Sequence, residues 1–189
     1  MQETGTRINK YMSQCGYCSR READRLIEKG EVWINGTLAT MGTKVMPGDT
    51  VMVHHTTITP CQKEYLLAFH KPAGIVCTTS KIDKNNVIDY LNFPERIYPV
   101  GRLDKESTGL LLLTNNGQLM DDILRGSNYH EKEYIVHVNK PITDSVLQAM
   151  AQGVPILDTI TRPCKIRRMG KDCFYITLTQ GLNRQIRRM

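Results

Sequence analysis

Four consecutive leucines, residues 110–113, are bounded by Gly109 and Thr114 and follow directly on the charged stretch Gly101-Arg102-Leu103-Asp104-Lys105-Glu106-Ser107-Thr108. A run this short and this apolar is a core strand by default, far below the roughly 18 residues of a membrane span. It fixes a rigid element with a charged loop at its start, and Asp104 stands where such an element presents a side chain. By residue type alone, an Asp between Gly101 and Gly109 is more often a turn former than a catalyst. No other apolar run in the 189 residues approaches a span, and the N-terminal MQETGTRINK lacks the apolar stretch of a secretory signal, so a cytoplasmic address is the expectation.

Elements of both kinds surround this strand. Ile8, Tyr11, Met12 and Cys15 share one helical face with Gly16 behind them, which predicts a short amphipathic helix. A second helix is announced by Ser19 and Glu22 in capping-box spacing, by the stripe Ala23, Leu26, Ile27, and by Gly30 as its stop. A hairpin around Asn35-Gly36 and a turn at Pro47-Gly48-Asp49 follow. Residues 54–63 are polar, aperiodic and contain Pro60, so they read as a linker and place a domain boundary near residue 63, giving domains 1–63 and 64–189. Beyond it, residues 65–70, 75–77, 110–114, 133–138 and 174–179 read as strands; residues 118–124, 143–150 and a segment after Asn183 read as helices. The class is α+β: a small helix-helix-sheet domain, then a domain with a mixed, mainly antiparallel sheet.

The formal charge of +6 is unevenly spread: residues 159–189 carry eight Lys/Arg against one Asp/Glu, whereas residues 64–158 carry nine against twelve. Such a basic end attracts a polyanion through counterion release, although a solvated tail would look the same. Six cysteines without framework spacing predict reduced thiols. Cys15-x-x-Cys18 has no second ligand pair at finger-like distance, His54-His55 has no evident carboxylate or thiol neighbour, and His130-Glu131-x-x-Tyr134 lacks the second His of a zincin. No metal is expected. On charge pattern alone, Arg20, Arg21 and Arg25 on the second helix are a soluble face neutralised by Glu22, Asp24 and Glu28.

The string from Thr6 to Val53, with Cys18-Ser19-Arg20-Arg21-Glu22-Ala23, Ile34-Asn35-Gly36 and Pro47-Gly48-Asp49, resembles the S4 domain of ribosomal and RNA-modifying proteins. That resemblance implies a structured-RNA partner and makes Arg7, Lys10, Ser19, Arg20, Arg21 and Lys29 candidate RNA contacts.

The stretch Gly101-Arg102-Leu103-Asp104 through Ser107-Thr108-Gly109-Leu110-Leu111-Leu112-Leu113-Thr114 resembles the active-site signature of the RNA pseudouridine synthases related to RsuA, RluB, RluE and RluF. His70-Lys71-Pro72-Ala73-Gly74, Lys132-Glu133-Tyr134 and the segment from Gln180 to Arg188 are similar to its other motifs, and the wording is closest to the RluF type. The resemblance implies that Asp104 is the catalytic aspartate, that Arg187 pairs with it, that Tyr134 stacks on uracil and moves a proton, and that Arg102 fills the gap left by a flipped base. Lys71 and Arg184 become RNA-binding candidates by the same route. It further implies a strand and a helix beyond Met189, so the sequence reads as cut short inside a helix.

The implied reaction breaks the N1–C1′ bond of uridine and joins C5 to C1′ without changing the atom inventory, so no cofactor is expected. A carboxylate serves either as nucleophile or as the base that starts elimination, and the sequence does not choose. Large-subunit ribosomal RNA is the implied substrate, a tRNA stem-loop the second candidate, and a monomer the expected state. The competing reading is a catalytically silent S4 protein that binds ribosomal RNA during assembly; tritium release from C5-labelled uridine separates the two.

Overall fold

Helix and strand ends fall where capping side chains and left-handed residues allow them in this computed structural model, which describes residues 5–80 and 82–189. Strand β1 (Thr6–Arg7) enters helix α1 (Ile8–Gln14), which stops because Gly16 takes φ +70° and Tyr17 N–H returns to the Met12 carbonyl at 3.2 Å. Ser19 Oγ accepts from Glu22 N–H at 3.1 Å and starts α2 (Arg20–Glu28). Strands β2 (Val32–Ile34) and β3 (Thr37–Leu38) flank the left-handed pair Asn35 and Gly36. Next come β4 (Lys44–Val45), β5 (Val51–Val53) and β6 (Thr56–Ile58); β1 pairs with β4, and the rest form an antiparallel sheet ordered β3-β2-β5-β6. Asn35 cross-links the two turns, donating to Asp49 Oδ1 at 2.8 Å and accepting from Thr50 N–H at 2.9 Å. Ile8, Met12, Ala23, Ile27, Val32, Val51 and Val53 fill one apolar core.

The linker expected over 54–63 is shorter than its composition suggests. Residues 56–58 pair with β5 and bury Ile58, while His54 and His55 adopt left-handed φ values of +46° and +65° as the intervening turn. His54 also has the carboxylate neighbour that local sequence did not reveal, since its Nε2 lies 3.6 Å from Glu31 Oε2.

A second sheet, ordered β7-β9-β8, is built from β7 (Leu66–Lys71), β8 (Tyr98–Val100) and β9 (Gly109–Thr114), all antiparallel. The four leucines do not all enter the core. Leu111 and Leu113 are buried with Val87 and Ile97, whereas Leu110, on the opposite face, is 67% exposed. Residues 75–77, expected as a strand, make only a single bridge from Val76 to Asn86. Asn86 instead caps helix α3 (Val87–Leu91), accepting from Ile88 and Asp89 N–H at 3.0 and 2.9 Å.

The described residues fall into two compact units, one ending at Met120 and one starting at Asp121, with helix α4 (Gly117–Leu124) at the division. The second unit contains a 3₁₀ turn (Gly126–Asn128), β10 (Lys132–His137), α5 (Asp144–Gln152), the hairpin β11 (Pro155–Ile156) and β12 (Thr159–Ile160), then β13 (Lys165–Arg168), β14 (Cys173–Leu178) and α6 (Gln185–Arg188). Its main sheet is antiparallel, ordered β10-β14-β13, over a core of Leu147, Met150, Phe174, Ile176 and Leu178. Gly153 is required where α5 ends: φ is +108° and a Cβ would sit 2.5 Å from the Thr161 carbonyl oxygen. No helix among the described residues is long and apolar enough to cross a membrane.

Candidate active site

Asp104 lies half-buried on the loop between β8 and β9, and its neighbours are fixed on both sides. Ser107 N–H donates to the Asp104 carbonyl at 3.0 Å, closing a tight turn. Leu103 packs against the second core and its N–H points at Cys77 Sγ, 3.4 Å away. Below the loop, Gly74 N–H donates to the Lys105 carbonyl at 2.8 Å.

The Lys71 ammonium completes this support. It is 0% exposed and donates to the carbonyls of Pro72 at 2.7 Å, Lys105 at 3.2 Å and Ser107 at 2.8 Å. An ammonium has three N–H bonds, and here each finds a backbone acceptor, which is how a buried cation is tolerated. The sequence reading of Lys71 as an RNA contact is therefore corrected: it is a strut beneath the Asp104 loop. Arg102, two residues before Asp104, is exposed, and among the described residues no ion pair joins it to Glu106.

The second unit carries the other candidates. Tyr134 stands on β10 opposite the fully buried Ile176, is 40% exposed, and has its phenol pKa raised by burial, which keeps it a neutral proton donor. Arg184 and Arg187 flank a turn organised by Gln185, a residue the sequence did not single out. Gln185 is 4% exposed and its Oε1 accepts from Leu182 N–H at 3.1 Å. Ile186 and Met189 pack against the third core, while Arg187 is exposed and Arg184 takes φ +50°. Arg188 grips the same turn through the Asn183 carbonyl at 3.0 Å. A Gln among arginines looks like surface; only Ile186 beside it signalled that one face of the turn goes inward.

The S4-like helix pair presents a basic face. Arg7, Arg20, Arg21 and Lys29 are exposed and Lys10 half-buried, whereas Ser19 Oγ already serves as the α2 cap. Of the carboxylates expected to neutralise this face, Glu22 pairs with Arg25 at 3.0 Å, while Asp24 accepts from Asn9 at 2.9 Å. Arg20 and Arg21 thus sit at the start of a helix, where free backbone N–H groups add to their attraction for phosphate. Burial pushes the Cys15 and Cys18 thiols up to about 11. Among the described residues no group of three or more His, Cys, Asp or Glu is arranged to hold a metal.

A helix pair with a small sheet, followed by antiparallel sheets presenting an aspartate loop, defines an S4 domain joined to a pseudouridine synthase fold. Residues 6–51 match the S4 domain model and residues 65–189 match the RNA pseudouridylate synthase model, and the chain belongs to the RNA pseudouridylate synthase family. It is 52% identical over 189 residues to the dual-specificity RNA pseudouridine synthase RluF of Escherichia coli strain K12, covering 99% of this chain and 65% of that protein. It is 33% identical over 193 residues to the ribosomal large subunit pseudouridine synthase B of Bacillus subtilis, covering 97% of this chain and 78% of that one. A solved pseudouridylate synthase crystal structure superposes with a TM-score of 0.62 at 26% identity, covering 97% of this chain and 81% of its own. The chain spans a little under two thirds of the length of the RluF relatives.

Proposed function

We propose that this chain isomerises a uridine in structured RNA to pseudouridine, with Asp104 as the group that initiates the chemistry. The observation that carries this is the Asp104 loop itself. A carboxylate is held between an anchored Leu103 and a Lys105 carbonyl tied to Lys71 and Gly74, within the residues that match the family. Such preorganisation is what attack on a sugar carbon, or proton removal from it, requires.

In this reaction the N1–C1′ bond breaks, uracil turns, C5 bonds to C1′, the C5 proton leaves and N1 takes one up. No electrons enter or leave. Tyr134 is assigned the stacking surface and a part in proton transfer, in which its phenol oxygen takes the C5 proton only as it passes its own proton on. Arg187 is assigned as the cation that keeps Asp104 ionised and oriented, and Arg102 as the side chain that fills the stack once the base has flipped out. Arg184 and the S4 residues Arg7, Lys10, Ser19, Arg20, Arg21 and Lys29 are assigned to RNA, with the boundary between binding and catalytic domains near residue 63.

The relatives named for dual specificity and for the ribosomal large subunit favour large-subunit ribosomal RNA as substrate, with a tRNA stem-loop as a second one. A cytoplasmic monomer fits this role. Pseudouridine mapping in RNA from cells lacking the protein should lose at least one site in large-subunit RNA. A map identical to that of the parent cells would end the substrate assignment.

A further inference from the structure

Within the first unit the core of residues 8–58 and the core of residues 77–113 share no side chain, yet polar contacts bridge them. Ser13 Oγ, on the last turn of α1, and Tyr98 Oη, on β8, form a part-buried hydrogen bond of 3.0 Å. The Arg96 guanidinium lies over the Tyr98 ring, 5.3 Å from its centroid. Arg96 also passes close under the α1–α2 turn: its Cβ is 3.8 Å from where a Cβ on Gly16 would sit, and its charge reaches the Cys18 thiol. The connecting segment is tied to the same place, because Cys61 N–H donates to the Gln14 carbonyl at 3.4 Å.

Both sides of this contact lead to a functional surface. The α1–α2 turn runs directly into Arg20 and Arg21, and β8 ends at Val100, just before Arg102 and Asp104. We propose that Tyr98 and Arg96 are positioning residues that latch the α1–α2 turn onto β8 and so set the span between the phosphate-binding helix start and the uridine site at Asp104. The inference rests on the isomerase reading above and adds a ruler to it. A bridge of one side-chain hydrogen bond, braced on the β8 side by the cation stacked on Tyr98 and without shared apolar burial, favours one orientation yet can open. An RNA long enough to touch both surfaces gains from that preset span, because the second contact becomes intramolecular. A hairpin that reaches only Asp104 gains nothing.

Tyr98→Phe and Ser13→Ala, singly and together in the full chain, test the latch with two readouts. The first needs no activity: tryptic cleavage after Lys63, in the segment tied down by Cys61. Each single variant should be cut about fivefold faster, as expected for loss of one net hydrogen bond. The double variant should add little, because both changes remove the same bond. The second readout compares a long RNA carrying the target hairpin and its flanking helices with the hairpin alone. KM for the long RNA should rise by a similar factor at unchanged kcat, and the hairpin should be processed as by wild type. An unchanged cleavage rate would overturn the latch, and equal losses on both RNAs, or none on either, would overturn the ruler. Wild-type protein inactive on every RNA would instead defeat the isomerase reading, leaving the cleavage rates to decide the latch.

Discussion

The Lys71 ammonium donates to the carbonyl of Ser107 at 2.8 Å, tying the end of β7 to the far side of the Asp104 turn. Replacing Lys71 by Met keeps the stem but leaves the carbonyls of Pro72 and Ser107 without the ammonium, while the Lys105 carbonyl keeps only Gly74 N–H. Each buried unsatisfied acceptor costs about 1–3 kcal/mol. Lys71→Met should therefore lower the melting temperature by several degrees and cut turnover by more than about tenfold, while RNA affinity holds because the side chain never reaches solvent. Circular dichroism melts, tritium release and filter binding measure the three. Lost affinity with retained turnover would return Lys71 to the RNA surface.

Gln185 performs a similar service in the second unit. Gln185→Leu preserves volume but orphans the Leu182 N–H, and the turn that carries Arg184 and Arg187 should loosen. Turnover is expected to fall by roughly ten- to a hundredfold, corresponding to about 1–3 kcal/mol, with near-native circular dichroism. Activity within twofold of wild type would show that the turn does not depend on this bond.

Ser19 and the arginines beside it should separate cleanly. Ser19→Ala removes the α2 cap and should cost about 1 kcal/mol of stability without altering the salt dependence of RNA binding. Replacing Arg20 and Arg21 by Ala should leave stability nearly unchanged and reduce the log–log salt slope by roughly one unit per lost phosphate contact. An unchanged slope would make the two arginines mere decoration of a soluble helix.

The thiols of Cys15 and Cys18, pushed up by burial to about 11, should resist iodoacetamide at pH 8 while the exposed Cys61 reacts. Because their folded values lie above the ordinary thiol value of 9.0, the stability they contribute is intact below pH 9.0 and is lost as pH rises towards about 11. Denaturant midpoints at pH 8 and pH 10.5 should differ in that direction, and prompt alkylation of Cys15 at pH 8 would contradict it.

Much of the fold was legible where a local rule suffices. The helix starts at Ser19 and Thr143, the Asn35-Gly36 hairpin and the long strands β7, β9, β10 and β14 all announce themselves through caps, turns or apolar runs. What stayed hidden depends on partners distant in sequence. β8 contains Pro99, which an edge position tolerates, and β13 reads Lys-Ile-Arg-Arg, a charged edge that composition assigns to solvent. α3 is five residues long, too short to display a period. Among the candidates, Asp104, Arg102, Tyr134 and Arg187 were marked by motif. The burial of Lys71 and Gln185 could not be read, because a Lys and a Gln look polar until the carbonyl or N–H that receives them is in place.

Asp104→Asn tests the central claim most directly. The substitution keeps size and polarity but removes the negative charge that both routes at the sugar require. Tritium release from C5-labelled uridine should disappear, while RNA affinity stays level or tightens slightly, since one anion beside a polyanion has been deleted. Release at more than about a tenth of the wild-type rate, equivalent to less than roughly 1.4 kcal/mol of barrier, would remove Asp104 from the mechanism.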